Sequence, residues 1–280
     1  MKEIEIDKII NAVEELCKSA NYNLNEDMLN SLEHGRKQEK SDIGKDILGK
    51  ILKNAEIARN EKMAICQDTG MAVAFVDLGQ EVHIKGGSLT DAINEGVRRG
   101  YKNGFLRKSV VKDPLDRVNT GDNTPAIIHY NVVEGQELKI TVAPKGFGSE
   151  NMSSLRMLKP SDGIEGVKKF IVETVDKAGP NPCPPIVVGV GIGGTMEKAA
   201  LIAKKALLRP VNVRSNIEYV AKLEEEMLCE INKLGIGPSG LGGSTTALAV
   251  NIEVYPTHIA GLPIAVNINC HVTRHAEIVL

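Results

Sequence analysis

Apolar residues in the first sixty positions recur at the spacing of helices. A stripe of apolar side chains over residues 6–17 repeats every three or four positions, which predicts an amphipathic helix that ends near Cys17. Asn25 and Ser41 each precede another such stripe and are expected to cap a second and a third helix. Residues 1–60 are therefore predicted to form an N-terminal helical layer.

After residue 60 the pattern changes to short apolar runs separated by Gly, Pro and Asn, which is typical of strands and turns. The runs at 126–133 and 137–143 flank Glu134-Gly135-Gln136 and predict a hairpin. Ser215 and Glu218 have the spacing of a capping box and predict a helix that ends at Gly235. Further strands are predicted over 185–190, 246–255 and 263–268, and a further helix over 196–208. The fold class is mixed α/β, with residues 61–280 as an α/β body that carries the candidate loops, and residues 1–280 are expected to form a single cluster-binding unit.

Composition excludes several classes of partner. A hydrophobic content of 42% and a charged content of 25% are ordinary for a globular protein. The net charge of −2 and the low aromatic content of 3% argue against nucleic acid as a partner and against a charged membrane surface. No apolar run approaches the length of a membrane span, the acidic start does not resemble a signal peptide, and the scattered cysteines do not suit a disulfide framework. A cytoplasmic location is expected.

Three of the five cysteines stand alone in loops rich in Gly, Pro and Asn, namely Cys66, Cys183 and Cys270. Loops often carry binding residues. Three thiolates without a fourth suit an iron–sulfur cluster in which one iron stays open, whereas zinc sites commonly use Cys-x-x-Cys pairs. Each cysteine could instead be a buried thiol that only fills space. That is how Cys17 and Cys229, on predicted helices, are interpreted.

Three glycine-rich segments also require an interpretation. Residues 189–194 match G-x-G-x-x-G between a strand and a helix, which would suit a nicotinamide dinucleotide, but the acid expected about 20 residues later is missing. A nicotinamide-dependent enzyme is therefore a weaker alternative. Residues 237–246 lack the lysine of a phosphate loop and indicate a tight turn. The loop 145–151 combines a cation with small residues, which suits a carboxylate, although a plain turn would have the same composition.

Several loop motifs point to one family when they are taken together. They are Cys66-Gln67-Asp68-Thr69-Gly70, the loop 145–151, Asn181-Pro182-Cys183, and Pro256-Thr257-His258 with Asn269-Cys270-His271. In this order they resemble the iron–sulfur hydro-lyases, the class I fumarases and L(+)-tartrate dehydratases, and specifically the α subunit of the two-chain forms. The likeness runs from about residue 5 to the end. It implies a [4Fe–4S] cluster held by Cys66, Cys183 and Cys270, whose open iron acts as a Lewis acid on a small dicarboxylate substrate.

The resemblance also implies roles for individual residues. Asp68 and His258 match residues that transfer protons, although His258 alone would be interpreted as structural. The expected substrate-binding residues are Gln67, Asp68, Arg107, Lys145, Gly148, Asn151, Met152, Ser153 and Ser154. Phe147 stands where many relatives have glycine, and the segment 119–125 is interpreted as turn scaffolding near the site.

The chain ends shortly after Cys270, whereas single-chain relatives continue into a second domain with the proposed catalytic base. A β subunit is therefore expected as partner, in an α2β2 heterotetramer. The leading interpretation is the α subunit of a fumarate hydratase of the tricarboxylic acid cycle, which interconverts fumarate and (S)-malate. The alternatives are an L(+)-tartrate dehydratase α subunit, which yields oxaloacetate, and a non-catalytic iron–sulfur scaffold.

Overall fold

The computed structural model describes residues 2–280 and confirms the mixed α/β class. The helices are α1 (Ile6–Tyr22), α2 (Glu26–Gln38), α3 (Asp42–Glu61), α4 (Leu89–Asn103), the single turn α5 (Phe147–Glu150), α6 (Gly163–Ala178), α7 (Met196–Ala206) and α8 (Glu218–Lys233). The strands are β1 (Lys2–Glu5), β2 (Met71–Gly79), β3 (Val82–Lys85), β4 (Ile127–Val133), β5 (Leu138–Lys145), β6 (Ser154–Leu158), β7 (Ile186–Gly193), β8 (Ala247–Tyr255), β9 (Leu262–Asn269) and β10 (Ala276–Val279). Within residues 2–280, every helix is too short or too polar to cross a membrane.

The chain divides into two compact units, and each is built from separate segments. The first unit contains residues 2–24, Asn54–Phe147 and Arg274–Leu280, and the second contains Asn25–Lys53 and Gly148–Thr273. The helices predicted over residues 1–60 are present, with α1 in the first unit and α2 in the second. That residues 1–280 act as one cluster-binding unit stays a prediction.

The main sheet of the first unit has the order β10-β5-β2-β4, so β2 lies between the two strands that were predicted to form a hairpin. That prediction is wrong. β2 pairs antiparallel with β5 and parallel with β4, since its largely buried apolar run occupies the centre of the sheet. Backbone N–H groups of Gln80 and Glu81 donate to the carbonyls of Val133 and Gly135, which fixes the 134–136 turn against the end of β2.

α1 packs closely against α4 at the core of the first unit. A Cβ added to Gly96 would lie 2.6 Å from Cβ of Val13, and one added to Gly100 would lie 2.7 Å from Cβ of Cys17. The glycines of α4 therefore allow the two helices to approach closely. Cys17 is completely buried as a result, and this burial raises the pKa of its thiol to about 12.

The sheet of the second unit has the order β6-β9-β7-β8, with β7 parallel to β8 and antiparallel to β9. Its G-x-G-x-x-G segment forms most of β7 and packs directly on α7. A Cβ on Gly189 or Gly191 would lie 2.2 or 2.1 Å from the carbonyl oxygens of Ala203 and Ala199. These glycines therefore allow β7 and α7 to approach each other closely.

The capping box predicted at Ser215 is not formed, because α8 begins three residues later, at Glu218. Ser215 Oγ accepts a hydrogen bond from the backbone N–H of Ile217, and the N–H of Ser215 donates to the carboxylate of Glu224. Glu224 is completely buried and also accepts from Arg209 and from the Ile252 N–H. This buried network, which the local sequence does not reveal, fixes the start of the helix.

A buried carboxylate joins the end of α2 to the glycine-rich loop 237–246 inside the second unit. Glu39 is 2% exposed, and its oxygens accept backbone N–H groups from Lys40, Ser41, Ser244 and Thr245 at 2.8–3.0 Å. Burial raises the pKa of this carboxyl, but the N–H donors outweigh that effect and lower it to about 2.

We expect Glu39→Gln to lower the free energy of unfolding by about 3 kcal/mol at neutral pH, because the folded chain favours the charged carboxylate. The depressed pKa places this stabilisation above the ordinary value of 4.5, and it is lost as the pH falls from 4.5 towards 2. Urea denaturation at several pH values measures it.

Glu33→Gln is the matched control for this measurement, since Glu33 lies on the same helix in loose contact with Arg36 and Lys37. We expect it to change the stability by less than about 0.5 kcal/mol. Equal losses for the two variants, or a loss at Glu39 that persists unchanged down to pH 2, would contradict the assignment.

Candidate active site

The loop that carries Cys66 has no regular structure, and its position depends on side chains around it. The N–H of Ile65 donates to the carbonyl of Asn21 at 3.0 Å, and Asn54 Nδ2 donates to the carbonyl of Ile65 at 2.8 Å. The backbone just before Cys66 is thus held on both sides. Cys66 itself is half-buried, and Gln67 is exposed.

The carboxylate of Asp68 has a fixed orientation. Oδ1 accepts the N–H of Gly70 at 3.0 Å in a local turn, and Oδ2 accepts the N–H of Phe147 at 2.9 Å. Arg274 Nη2 donates to the backbone carbonyl of Asp68 at 2.7 Å. Both carboxylate oxygens are therefore oriented by amides, and each keeps a lone pair for a further partner.

Thr69 joins the loop of Arg107 to the Cys66 loop. Its Oγ1 accepts the N–H of Arg107 at 2.9 Å and donates to the Arg107 carbonyl at 3.2 Å. The guanidinium of Arg107 is exposed, while its backbone is fixed. Asn123 Nδ2 donates to the carbonyl of Gly70 at 3.2 Å, so the segment 119–125 does act as turn scaffolding, as predicted.

Lys145 ends β5 and lies opposite Met71 in the sheet. The backbone at Gly70 has φ +75°, and a Cβ there would lie 2.7 Å from the backbone nitrogen of Lys145, so only glycine fits. Lys145 is 5% exposed, and its Nζ donates to the carbonyl of Gly146. The first unit therefore holds the predicted site residues Cys66, Gln67, Asp68, Arg107 and Lys145.

In the second unit the loops of Cys183 and Cys270 touch each other. The carbonyl of Cys183 accepts the N–H of His271 at 3.3 Å and lies 2.9 Å from His271 Nδ1. Cys183 is exposed and has a left-handed backbone with φ 55°, which costs a non-glycine residue about 1–3 kcal/mol. Strain of this kind is found at functional sites. Cys270 is half-buried.

The predicted substrate loop is anchored next to these cysteines. Ser153 Oγ accepts hydrogen bonds from Asn267 Nδ2 at 3.0 Å and from the N–H of Ile268 at 3.1 Å, close to the end of β9 that leads to Cys270. A cavity of about 390 Å³ is lined by Asn151, Met152, Ser153 and Ser154 together with Asn181. Gly148, at the start of this loop, is exposed.

His258 occupies an exposed loop in front of β9. Its Nδ1 accepts the N–H of Ala260 at 3.2 Å, so the neutral ring carries its proton on Nε2. Thr257 Oγ1 donates to the carbonyl of Gly194 at 2.8 Å, which fixes this loop to the last turn beyond β7.

The structure does not bring His258 together with Cys183 and Cys270 inside the second unit. Cys183 precedes β7 and Cys270 follows its antiparallel neighbour β9, so both lie at one end of this strand pair. His258 lies at the other end, beside Gly194. Eight residues of strand separate the two ends by roughly 25 Å.

The three loop cysteines are exposed enough to meet a cluster, whereas Cys17 is not. A ligating sulfur must be a thiolate. The thiol of Cys17, with its pKa raised to about 12, stays protonated at neutral pH, whereas Cys66, Cys183 and Cys270 lie in loops that leave them partly or fully exposed. No group of three His, Cys, Asp or Glu side chains in residues 2–280 could hold a single metal ion. A [4Fe–4S] cluster has a different requirement from a single metal ion, because each of its irons takes only one thiolate. Loops that each present one cysteine can meet that requirement.

Some residues that shape the site were missed by sequence reasoning. Thr69 lies within a recognised motif, but its two hydrogen bonds to Arg107 depend on contacts distant in sequence. Arg274, four residues after Cys270, carries no local signal for its bond to Asp68. Tyr101 donates to the carbonyls of Thr69 and Gly70 from α4, a helix that was not predicted.

The family model described as fumarate hydratase (Fumerase) matches residues 10–279. The chain belongs to this family. A protein of Methanocaldococcus jannaschii named "Putative L(+)-tartrate dehydratase subunit alpha" is 46% identical over 96% of this chain and 96% of the relative. "L(+)-tartrate dehydratase subunit alpha" of Escherichia coli UTI89 is 31% identical over 99% and 92%, and that of strain K12 is 30% identical over 100% and 93%. These matches confirm the resemblance inferred from the loop motifs.

Proposed function

We propose that the chain is the α subunit of a two-chain [4Fe–4S] hydro-lyase that reversibly hydrates fumarate to (S)-malate. The observation that best supports this proposal is the contact between the Cys183 and Cys270 loops through His271, in a chain that matches the fumarate hydratase family over residues 10–279. Two single cysteines held together by their backbones suit adjacent ligands of one cluster.

Cys66, Cys183 and Cys270 would hold this cluster. When bound, it would supply an open iron that acts as a Lewis acid and helps hydroxide to leave. The strained backbone of Cys183 and its contact with His271 fix one ligand before the cluster binds. That preorganisation is what a metal site requires of its supporting residues.

The substrate would be oriented by groups whose backbones are already fixed. Arg107 presents an exposed guanidinium from a backbone held by Thr69, and a guanidinium binds a carboxylate through two parallel hydrogen bonds. Asn151, Met152, Ser153 and Ser154 line a cavity beside the cysteine loops of the second unit. The remaining assigned contacts are those of Gln67, Asp68, Lys145 and Gly148.

Asp68 is the proposed proton carrier of the first unit. Its carboxylate accepts two backbone N–H groups, which orient both oxygens. A free lone pair on either oxygen can therefore take or return a proton at the substrate. Orientation by amides keeps this lone pair in one place.

His258 is the second proposed proton carrier, and its proton is on Nε2. Because it lies at the far end of the β7–β9 pair from Cys183 and Cys270, it cannot reach them within its own second unit. A role at their site therefore requires that a second copy of the chain presents His258. An α2β2 assembly contains such a copy.

A β subunit is proposed as the partner that supplies the catalytic base. Support comes from the relatives, which are named as α subunits and match this chain over nearly their whole length. The chain alone would then hold the cluster but turn over substrate poorly.

L(+)-tartrate is the second candidate substrate. The observation that favours it is the name of the relatives, which are tartrate dehydratase α subunits. Loss of water from tartrate yields oxaloacetate by the same proton removal and hydroxide departure. Tartrate differs from malate by one hydroxyl group and has the same two carboxylates, so the residues assigned above would serve either acid.

Turnover measured anaerobically tests the proposal. The chain is reconstituted with iron and sulfide and mixed with the β subunit, and hydration of fumarate is measured beside dehydration of L(+)-tartrate. We expect fumarate turnover only when both chains are present. Turnover of tartrate alone would keep the hydro-lyase chemistry and replace the substrate. Iron binding with neither activity would contradict catalysis and favour the scaffold alternative.

Complementation between inactive variants tests the position of His258. We expect Cys183→Ser and His258→Ala to be nearly inactive alone, whereas co-expression restores about a quarter of the wild-type activity. Random pairing makes half of the dimers mixed, and each mixed dimer has one intact site out of two. Cys183→Ser mixed with Cys270→Ser is the control, and it should restore nothing because each copy lacks a ligand of its own site. Mixed assemblies without recovered activity would overturn a shared site.

A further inference from the structure

A second and larger cavity lies in the second unit, and it has a different lining from the first. Its volume is about 810 Å³, and it is lined by α2, α8, the start of β8 and the segment 211–214. This size is within the range of cavities that bind small molecules. None of the predicted site residues lines it.

The cavity wall contains a guanidinium nitrogen without a hydrogen-bond partner. Arg214 lines the cavity, and its Nη1 is buried with no partner among the described residues 2–280. A buried charged donor left unsatisfied destabilises the fold by more than a neutral one. The guanidinium of Arg214, as part of the cavity lining, is suited to carboxylate or phosphate groups.

The backbone on both sides of Arg214 is fixed before any ligand binds. The N–H of Val211 donates to Asp27 Oδ2 at 2.9 Å, and the N–H of Ser215 donates to Glu224 Oε2 at 2.9 Å. Glu224 is completely buried. The segment therefore has little freedom to lose on binding, which favours affinity.

The charges around the cavity favour an anion. Lys40 lines it together with Arg214, and the acidic group, Asp27, already accepts the Val211 N–H. His34 adds the hydrogen-bonding nitrogens of an imidazole to the lining. Polar neighbours such as Asn30 and Ser31 add hydrogen-bond capacity. We propose that this cavity binds the oxyanion group, phosphate or carboxylate, of a small molecule, at a site separate from the hydro-lyase site.

Titration calorimetry with the full chain tests this proposal, with inorganic phosphate and succinate as separate probes. We expect one of the two to bind at concentrations below about 10 mM, and Arg214→Gln to weaken that binding by about tenfold or more, the loss of one charge-assisted hydrogen bond. Phosphate binding would identify a phosphate-bearing ligand, and succinate binding a carboxylate. Absence of binding by both probes would overturn the proposal.

Three controls separate this site from others. Arg36→Gln removes an arginine of α2 that does not line the cavity, so it should leave the affinity for both probes unchanged. Arg107→Gln removes the proposed substrate arginine, so it should leave phosphate binding unchanged and remove only the succinate binding that belongs to the hydro-lyase site. Lys40→Gln, at an exposed lining residue, should weaken binding even if Arg214→Gln does not fold. Equal affinity in wild type, Arg214→Gln and Lys40→Gln, or a loss in Arg107→Gln alone, would contradict an oxyanion site here.

Discussion

The loop from Ile65 to Gly70 has no hydrogen-bonded ladder of its own, so polar side chains from other segments must satisfy its backbone. Asn54, Tyr101, Asn123 and Arg274 donate to its carbonyls, and the hydroxyl of Thr69 bonds the backbone of Arg107 in return. Unpaired backbone groups in a buried loop would be costly, which makes this network a condition for the loop's conformation. The positions of Cys66, Asp68 and Arg107 all depend on it.

The second unit fixes its cysteines by the same means, at the ends of strands. Antiparallel pairing of β7 with β9 places Cys183 and Cys270 at one end of the strand pair. At that end His271 contacts the Cys183 carbonyl, and Ser153 forms a hydrogen bond with the end of β9. The same pairing places His258 at the opposite end. One strand register therefore explains both why the two cysteine loops meet and why the proposed role of His258 needs a second copy of the chain.

Local patterns predicted the parts of the fold that local physics decides. The stripe of α1 and the three single cysteines could be recognised because helix period and loop composition are local properties. The hairpin prediction was wrong because the place of β2 between β4 and β5 depends on long-range pairing. The capping-box prediction was wrong because the start of α8 depends on the buried carboxylate of Glu224, which lies further along the chain. The bond from Arg274 to Asp68 spans most of the sequence, so no local pattern could reveal it. The loop motifs could identify the family because they are short and distinctive. The position of His258 depends on the strand register, which the motifs do not encode.

The most direct test of the account is the iron and acid-labile sulfide content of the anaerobically reconstituted chain, measured with single cysteine variants. About four iron and four sulfide are expected per wild-type chain. We expect a large loss in Cys66→Ser, Cys183→Ser and Cys270→Ser, and wild-type content in Cys17→Ser and Cys229→Ser. A full complement in all three loop variants, or metal without sulfide in the wild type, would contradict a cluster held by these loops.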